Sequence, residues 1–402
     1  LKEPKGQVRD FSFEITDDEP LGHLIVDEDI NLTSEILAYL ECLEQTTEIS
    51  SYSNKSVKNA GRALRRSEGD LKNAEKIIRL YRADHQKPLD TVFYVLKKAS
   101  DNLKIAPTAA KRLKQLDTIV NKLQRPSLDG STTNSMCVTN MSDIGGCRFI
   151  CNTVTELRAL QNKINKLVLG ISRLEILSTK DYILEPKSND CRYRSIHLVF
   201  SYQNRASKKF RVEAQLRTYK QHIWATTIEI VDTLENTQIK NLSHAPDESK
   251  TYNQKQWEAL FKIMSDLIAF DEGFIHLKKS LYERKKTDLK MLENKLNAIQ
   301  RLQSFNMLND QLSENEKNNK DIEWMVLVVN LNNGKRSIEQ KFLEDNKKKA
   351  ILIYDQFEKF YSEISGFNVL LISVSSIINL SKAYPNYAGD CSQFIKLINR
   401  FL

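Results

Sequence analysis

An α+β fold, with a mixed β-sheet flanked by helices, is predicted by three features of this sequence. Apolar residues recur at helical spacing through the first hundred positions and again after residue 250. Between these regions, short runs switch to the period-two alternation of strands. Glycine (12) and proline (8) are scarce in 402 residues, which favours long helices over many turns.

In chain order, the first third reads as helices. Thr33–Leu43 is amphipathic, and Ser53–Ser67 places Val57, Ala60, Gly61 and Leu64 on one stripe. Leu71–Arg82 does the same with Ala74, Ile77, Ile78 and Tyr81. Pro88 marks a break, after which Asp90 can cap a helix over Thr91–Ser100. In residues 107–125, Arg112 and Lys114 alternate in a segment that need not be fully helical. Asp117 or Thr118 can cap a short helix through Leu123, where Thr118 and Lys122 share a face. These cations could converge on a polyphosphate; a basic amphipathic helix is the plainer alternative.

A polar connection, Ser127–Thr139, leads to Asp143 and the pair Gly145-Gly146. Cys147–Cys151 then reads as a buried strand with Arg148 inside it. An aspartate at a strand entrance beside two glycines suits a metal–phosphate site, because glycine admits close approach and carboxylate oxygen is a hard ligand. The same pattern is also common turn chemistry. Glu156–Leu169 is a helix, followed by strands at Arg173–Ile183, Arg194–Tyr202 and Lys209–Leu216. The order strand, helix, three strands, helix gives the mixed sheet. Tyr193, Ser195 and His197 share one face of the last hairpin, as do Arg211, Glu213, Gln215 and Arg217. That face is either a site or an ordinary solvated surface.

Trp257, Leu260, Phe261, Met264, Leu267 and Ile268 form a further helical stripe. The long helix near residues 274–302 carries Lys278, Lys279, Arg284, Lys285 and Lys286, a solvated face or an RNA contact. The segment 304–320 has the composition of a linker. Beyond it, Trp324–Leu331 and Val369–Val374 read as strands, and Ile338–Ile364, Ile377–Ala383 and Ser392–Phe401 as helices. The expected organisation is therefore an N-terminal extension (1–50), a catalytic-type domain (51–240), a helical connector (241–303), the linker (304–320) and a small α/β regulatory or partner-binding domain (321–402).

The net charge of +8 permits a phosphate-rich ligand or RNA without requiring either. Six cysteines show neither a CxxC pair nor zinc-ligand spacing, which fits a reduced, cytoplasmic compartment. No apolar run reaches membrane-spanning length.

Six short patterns occur in order: R-x-K-x-x-x-T-I-x-x-K-L at 112–123, D-I-G-G-x-R at 143–148, D-Y-I-x-x-P-K at 181–187, Y-R-S-I-H at 193–197, E-x-Q-L-R-T at 213–218 and W-A at 224–225. Together they make roughly residues 50–240 resemble the synthetase domain of the RelA/SpoT family. The chain is similar to a synthetase-only member with an added C-terminal domain. The resemblance implies a nucleotidyltransferase-like sheet and transfer of pyrophosphate from ATP to the 3′-hydroxyl of a guanine nucleotide, GDP or GTP, with release of AMP. It implies that Arg112, Lys114 and Lys122 hold the ATP phosphates. Asp143 and Glu213 would be the catalytic carboxylates and ligands of Mg2+, with Glu213 as base toward the 3′-hydroxyl. Tyr193 would stack on the acceptor base, Lys187, Asn189 and His197 would contact the acceptor, and Arg148, Gln215 and Arg217 would support the site.

Two departures bear on the acceptor. The family's Pro-Lys-x-Asn-Gly-Tyr becomes a run two residues longer, from Pro186 to Tyr193, without the glycine. The family's W-A-x-x-E-H becomes W-A-T-T-I-E, so Glu229 falls one step later and no His follows it; His222 reads as structural. Acceptor base and acceptor type, free nucleotide or tRNA 3′ end, stay open on this basis, as does a non-catalytic nucleotide sensor. A chain without a His-Asp dipeptide is expected to make such a product rather than degrade it.

Overall fold

The computed structural model describes residues 22–44, 52–125, 136–186, 191–234, 252–296, 298–299, 302, 324–330, 337–344, 347–361, 364, 367–374 and 391–402. Four helices open it: α1 Gly22–Glu44, α2 Asn54–Arg66, α3 Leu71–Asp84 and α4 Gln86–Asn102. Ser53 caps α2 in a reciprocal pair with Ser56, and the predicted stripe Val57, Ala60, Gly61 and Leu64 is buried. The break between α3 and α4 lies at His85 rather than at Pro88. Pro88 sits in the first turn of α4, where an amide would have no intrahelical partner. Asp90 is therefore not a cap. It lies inside α4 and pairs with Lys111 at 2.9 Å.

Strand β1 (Thr108–Leu113) and helix α5 (Leu116–Gln124) follow, then β2 (Gly145–Cys151), α6 (Val154–Leu169), β3 (Leu174–Asp181), β4 (Ile196–Gln203), β5 (Lys209–Thr218) and α7 (Tyr219–Leu234). Among the described residues the sheet has eight strands in the order β3-β4-β5-β2-β1-β8-β6-β7. Only β2 and β5 pair in parallel, so the sheet is mixed, as predicted. Alternation assigns its faces. Phe149 on β2 and Val212, Ala214 and Leu216 on β5 are buried with Leu96 of α4 and Leu160 of α6 in one apolar core. The intervening residues of β5, Glu213 and Gln215, face the opposite side and are half-buried. Gly145 lets α4 approach β2 closely: a Cβ there would stand 3.4 Å from Leu89 Cβ.

The second core joins α7, α8 (Tyr252–Asp271) and α9 (Lys279–Leu296). All six residues of the predicted Trp257–Ile268 stripe are buried there. Toward the C-terminus come β6 (Trp324–Asn330), β7 (Ser337–Glu344), α10 (Lys347–Tyr361), β8 (Phe367–Val374) and α11 (Ser392–Phe401). Residues 338–344, expected to open a helix, belong to β7 instead, because that strand pairs along β6 from Trp324↔Glu344 to Asn330↔Ser337. The strand β8 continues the sheet by pairing with β1 at Ala110↔Val374 and Lys111↔Ser373. Among the described residues, helix α11 shares no apolar cluster with β6–β8. Its Phe394, Ile398 and Phe401 join the α7–α8 core. The expected linker, the helix at 377–383 and the N-terminal residues 1–21 lie outside the described residues. Among the described residues no helix is long and apolar enough to cross a membrane.

Candidate active site

The polar face of the sheet is organised by register. Across neighbouring strands, Arg112 of β1 lies opposite Gly146 of β2, and Gly146 opposite Glu213 of β5. Residues in register point to the same face, so glycine leaves a gap between a guanidinium and a carboxylate. One step along, Arg148 lies opposite Gln215, and Gln215 opposite His197 of β4. The result is a cleft of about 90 Å³ lined by Arg112, Lys114, Asp143, Arg148, Glu213 and Gln215 together with Gly146 and Cys147.

Asp143 stands at the entrance of β2 and accepts from two ammonium groups. Lys114 Nζ reaches Oδ2 at 2.8 Å and Lys122 Nζ reaches Oδ1 at 2.8 Å. Burial alone would raise this carboxyl, but the two lysines outweigh it and hold it at about 2. Burial is also the main cause that pulls Lys114 below the usual lysine range, with Lys122 and Arg112 adding to it against the pull of Asp143. Four cations, Arg112, Lys114, Lys122 and Arg148, thus lie around two carboxylates, Asp143 and Glu213.

Glu213 is the hub of a second network. His197 Nδ1 lies 3.1 Å from its Oε1, and Gln215 Nε2 donates to its Oε2 at 2.9 Å. Burial would raise the Glu213 carboxyl; the bonds from His197 and Gln215 hold it below its ordinary value. His197 is held above its ordinary value: burial opposes this, and the Tyr193 and Glu213 contacts outweigh it. Tyr193 Oη lies 2.9 Å from His197 Nε2 and accepts from Arg217 Nη2 at 2.5 Å, and Arg217 Nη2 also donates to Gln215 Oε1 at 2.8 Å. The five side chains close a ring.

Ten of the twelve residues expected at the site are described. Arg112, Lys114, Lys122, Asp143, Arg148, His197, Glu213, Gln215 and Arg217 come together on this one sheet face or at its entrance. Lys187 and Asn189 lie outside the described residues. Tyr193 is present but not as expected. It is 5% exposed, with the Arg217 guanidinium 5.1 Å from its ring centroid and Trp224 packed at 6.4 Å. Its ring is packed, and its hydroxyl carries the hydrogen bonds to His197 and Arg217. The half-buried ring beside it is Tyr182, 5.3 Å from the His197 ring. His222 is buried next to Arg148, in keeping with a structural reading.

Residues 111–231 match the family model described as the region found in RelA / SpoT proteins. This stretch is similar to the RelA/SpoT region. It contains β1 from Lys111, both carboxylates and the whole polar ring. No curated protein sequence matches the chain significantly. Among solved structures, the small alarmone synthetase 1 of Bacillus subtilis bound to its product pppGpp is 21% identical. The match covers 50% of this chain and 100% of that one, with a TM-score of 0.35. A GTP pyrophosphokinase family protein of Streptococcus pneumoniae is 19% identical, with 50% of this chain and 92% of that one covered and a TM-score of 0.35.

Proposed function

We propose that the RelA/SpoT region transfers the β,γ-pyrophosphate of ATP to the 3′-hydroxyl of a purine nucleotide, with GDP or GTP as the acceptor that the family match favours. This would be alarmone synthesis of the (p)ppGpp type. The observation that carries the proposal is the cleft itself, in which Arg112, Lys114 and Lys122 gather beside Asp143 while Glu213 faces them across Gly146. In the reaction, the 3′-oxygen attacks the β-phosphorus and the bond from that phosphorus to the bridging α–β oxygen breaks. AMP leaves, and the hydroxyl proton passes to the Glu213 carboxylate. Such transfers need positioning and charge stabilisation more than covalent chemistry. The cations would exchange their contacts with Asp143 for phosphate oxygens. His197 and Gln215 keep Glu213 ionised and fix both its oxygens.

A divalent cation fits this donor set. Among the described residues no cluster of three or more His, Cys, Asp or Glu side chains could hold one alone. Asp143 and Glu213 offer two hard carboxylates in one cleft, which suits Mg2+ shared with substrate phosphates. When bound, it would neutralise charge on the transferred group.

The test is incubation with γ-labelled ATP and, separately, GDP, GTP, ADP, ATP or tRNA. Label is expected on a guanine nucleotide in a Mg2+-dependent reaction. Label on tRNA alone would replace the acceptor class, and label on none would end the enzymatic reading.

A further inference from the structure

Helix α5 has no cap of its own. Gln115 occupies the N-cap position without a side-chain hydrogen bond to the helix, although helix N-termini leave amides that need acceptors. The acceptor comes from far along the chain. Glu358 of α10 takes the Leu116 amide on Oε1 at 2.9 Å, across 242 residues. The same oxygen accepts from Tyr354 Oη at 2.6 Å, and Oε2 pairs with Arg79 at 2.6 Å. Glu358 is 4% exposed, so this is a buried, fully engaged carboxylate.

The adjacent residues are held from the same side. Arg82, stacked 4.4 Å over the Tyr354 ring, donates from Nε to the Lys114 carbonyl at 2.7 Å. The Gln115 side chain donates from Nε2 to the Val369 carbonyl of β8. Three consecutive residues, 114 to 116, are therefore fixed directly or through Arg82 by the C-terminal elements. This segment bears Lys114 and opens the helix that bears Lys122, the two lysines on Asp143.

We infer that Glu358 is a positioning residue for the phosphate-binding lysines, so that docking of α10 sets the affinity of the cleft for ATP. The inference rests on the proposed reading of that cleft. An uncapped α5 leaves the Leu116 amide and Arg79 without their buried partner, and the cost falls on the segment that aims both lysines. The acceptor-side residues His197 of β4 and Glu213 of β5 should be spared.

The experiment uses the full chain with Glu358→Ala, Glu358→Gln and, as a control on an exposed position of the same helix, Gln356→Ala. The readouts are the Kd for a non-hydrolysable ATP analogue with Mg2+, the KM values for ATP and acceptor, and thermal melting. Glu358→Ala should weaken analogue binding and raise the ATP KM roughly tenfold, the effect of losing one good cap. The acceptor KM should stay within about twofold. Glu358→Gln keeps an oxygen for Leu116 but presents an amide to Arg79, so a rise of about threefold is expected. Gln356→Ala should match the wild type. Folded Glu358→Ala with wild-type analogue affinity overturns the inference, as does an equal loss for ATP and acceptor. If the alanine variant fails to fold, Glu358→Gln decides: an unchanged Kd overturns the inference. Wild-type binding of the analogue without any transfer would instead sink the catalytic reading and leave this inference standing. A wild-type chain that does not bind the analogue overturns both.

Discussion

Asp143 is held by two lysines, so its charge matters to stability as well as to chemistry. Its folded value is about 2, against 3.8 for the free side chain. A lowered carboxyl contributes stability that is present above the unfolded value and is lost as pH falls through the folded one. The contribution is about 2 kcal/mol for a group this well buried. The difference in urea unfolding between wild type and Asp143→Asn should therefore shrink by about that amount from pH 4 toward pH 2. A difference that stays constant over this window would show that the lysine pairs do not act on the carboxylate. For Glu213 the sign runs the other way on mutation. Removing His197 leaves burial to dominate, so the Glu213 carboxyl rises, and the acid limb of kcat/KM in His197→Ala should move to higher pH. A pH profile that only drops in height would assign His197 a purely structural place. Tyr193→Phe should mimic part of this shift, because it removes the hydroxyl that holds His197. The carboxylates and cations were singled out by the six ordered patterns and the family resemblance they carry, since each pattern taken alone left a plainer alternative open. The burial of Tyr193 was not, because Arg217 and Trp224 decide it through packing that strand alternation does not encode.

At the level of elements, β1 and β2 build the cleft by placing Gly146 between Arg112 and Glu213. A Cβ at Gly146 meets its nearest neighbour, the Glu213 carbonyl oxygen, at 3.7 Å, an ordinary contact. Gly146→Ala should fold with nearly unchanged melting, yet fill the floor of the site and cut turnover roughly tenfold or more. Wild-type turnover in that variant would show that the transferred group sits elsewhere. Strand β1 was hard to read because adjacent Lys111 and Arg112, residues that helices also carry, blur its alternation. Strand β7 was misread for a related reason: Glu, Gln and Lys favour helix locally, and pairing with β6 overrides them. The α8 stripe was easy, since helical apolar spacing and burial agree at every position.

Across the whole molecule, the described elements of residues 324–402 divide their contacts between two places. Strands β6–β8 and α10 extend the sheet and brace residues 114–116, while α11 closes the core of α7 and α8. Phe394 stacks on Phe261 at 5.3 Å within that core, far along the chain from the cleft residues. Phe394→Ala should cost about 3–5 kcal/mol, as large-to-small changes in a packed core do. The loss would be read as a lower melting temperature, and an unchanged one would show that α11 is not docked as described. None of this long-range bracing was legible in the sequence, because a single buried glutamate looks like any other on an amphipathic helix.

The fate of ATP during turnover tests the catalytic account. If the cleft moves pyrophosphate, each labelled acceptor formed should be matched by one AMP, and both should vanish together in Asp143→Asn and Glu213→Gln. Release of ADP in step with the labelled product would mean transfer of a single phosphoryl group. Undiminished AMP formation in both variants would place the chemistry outside this cleft.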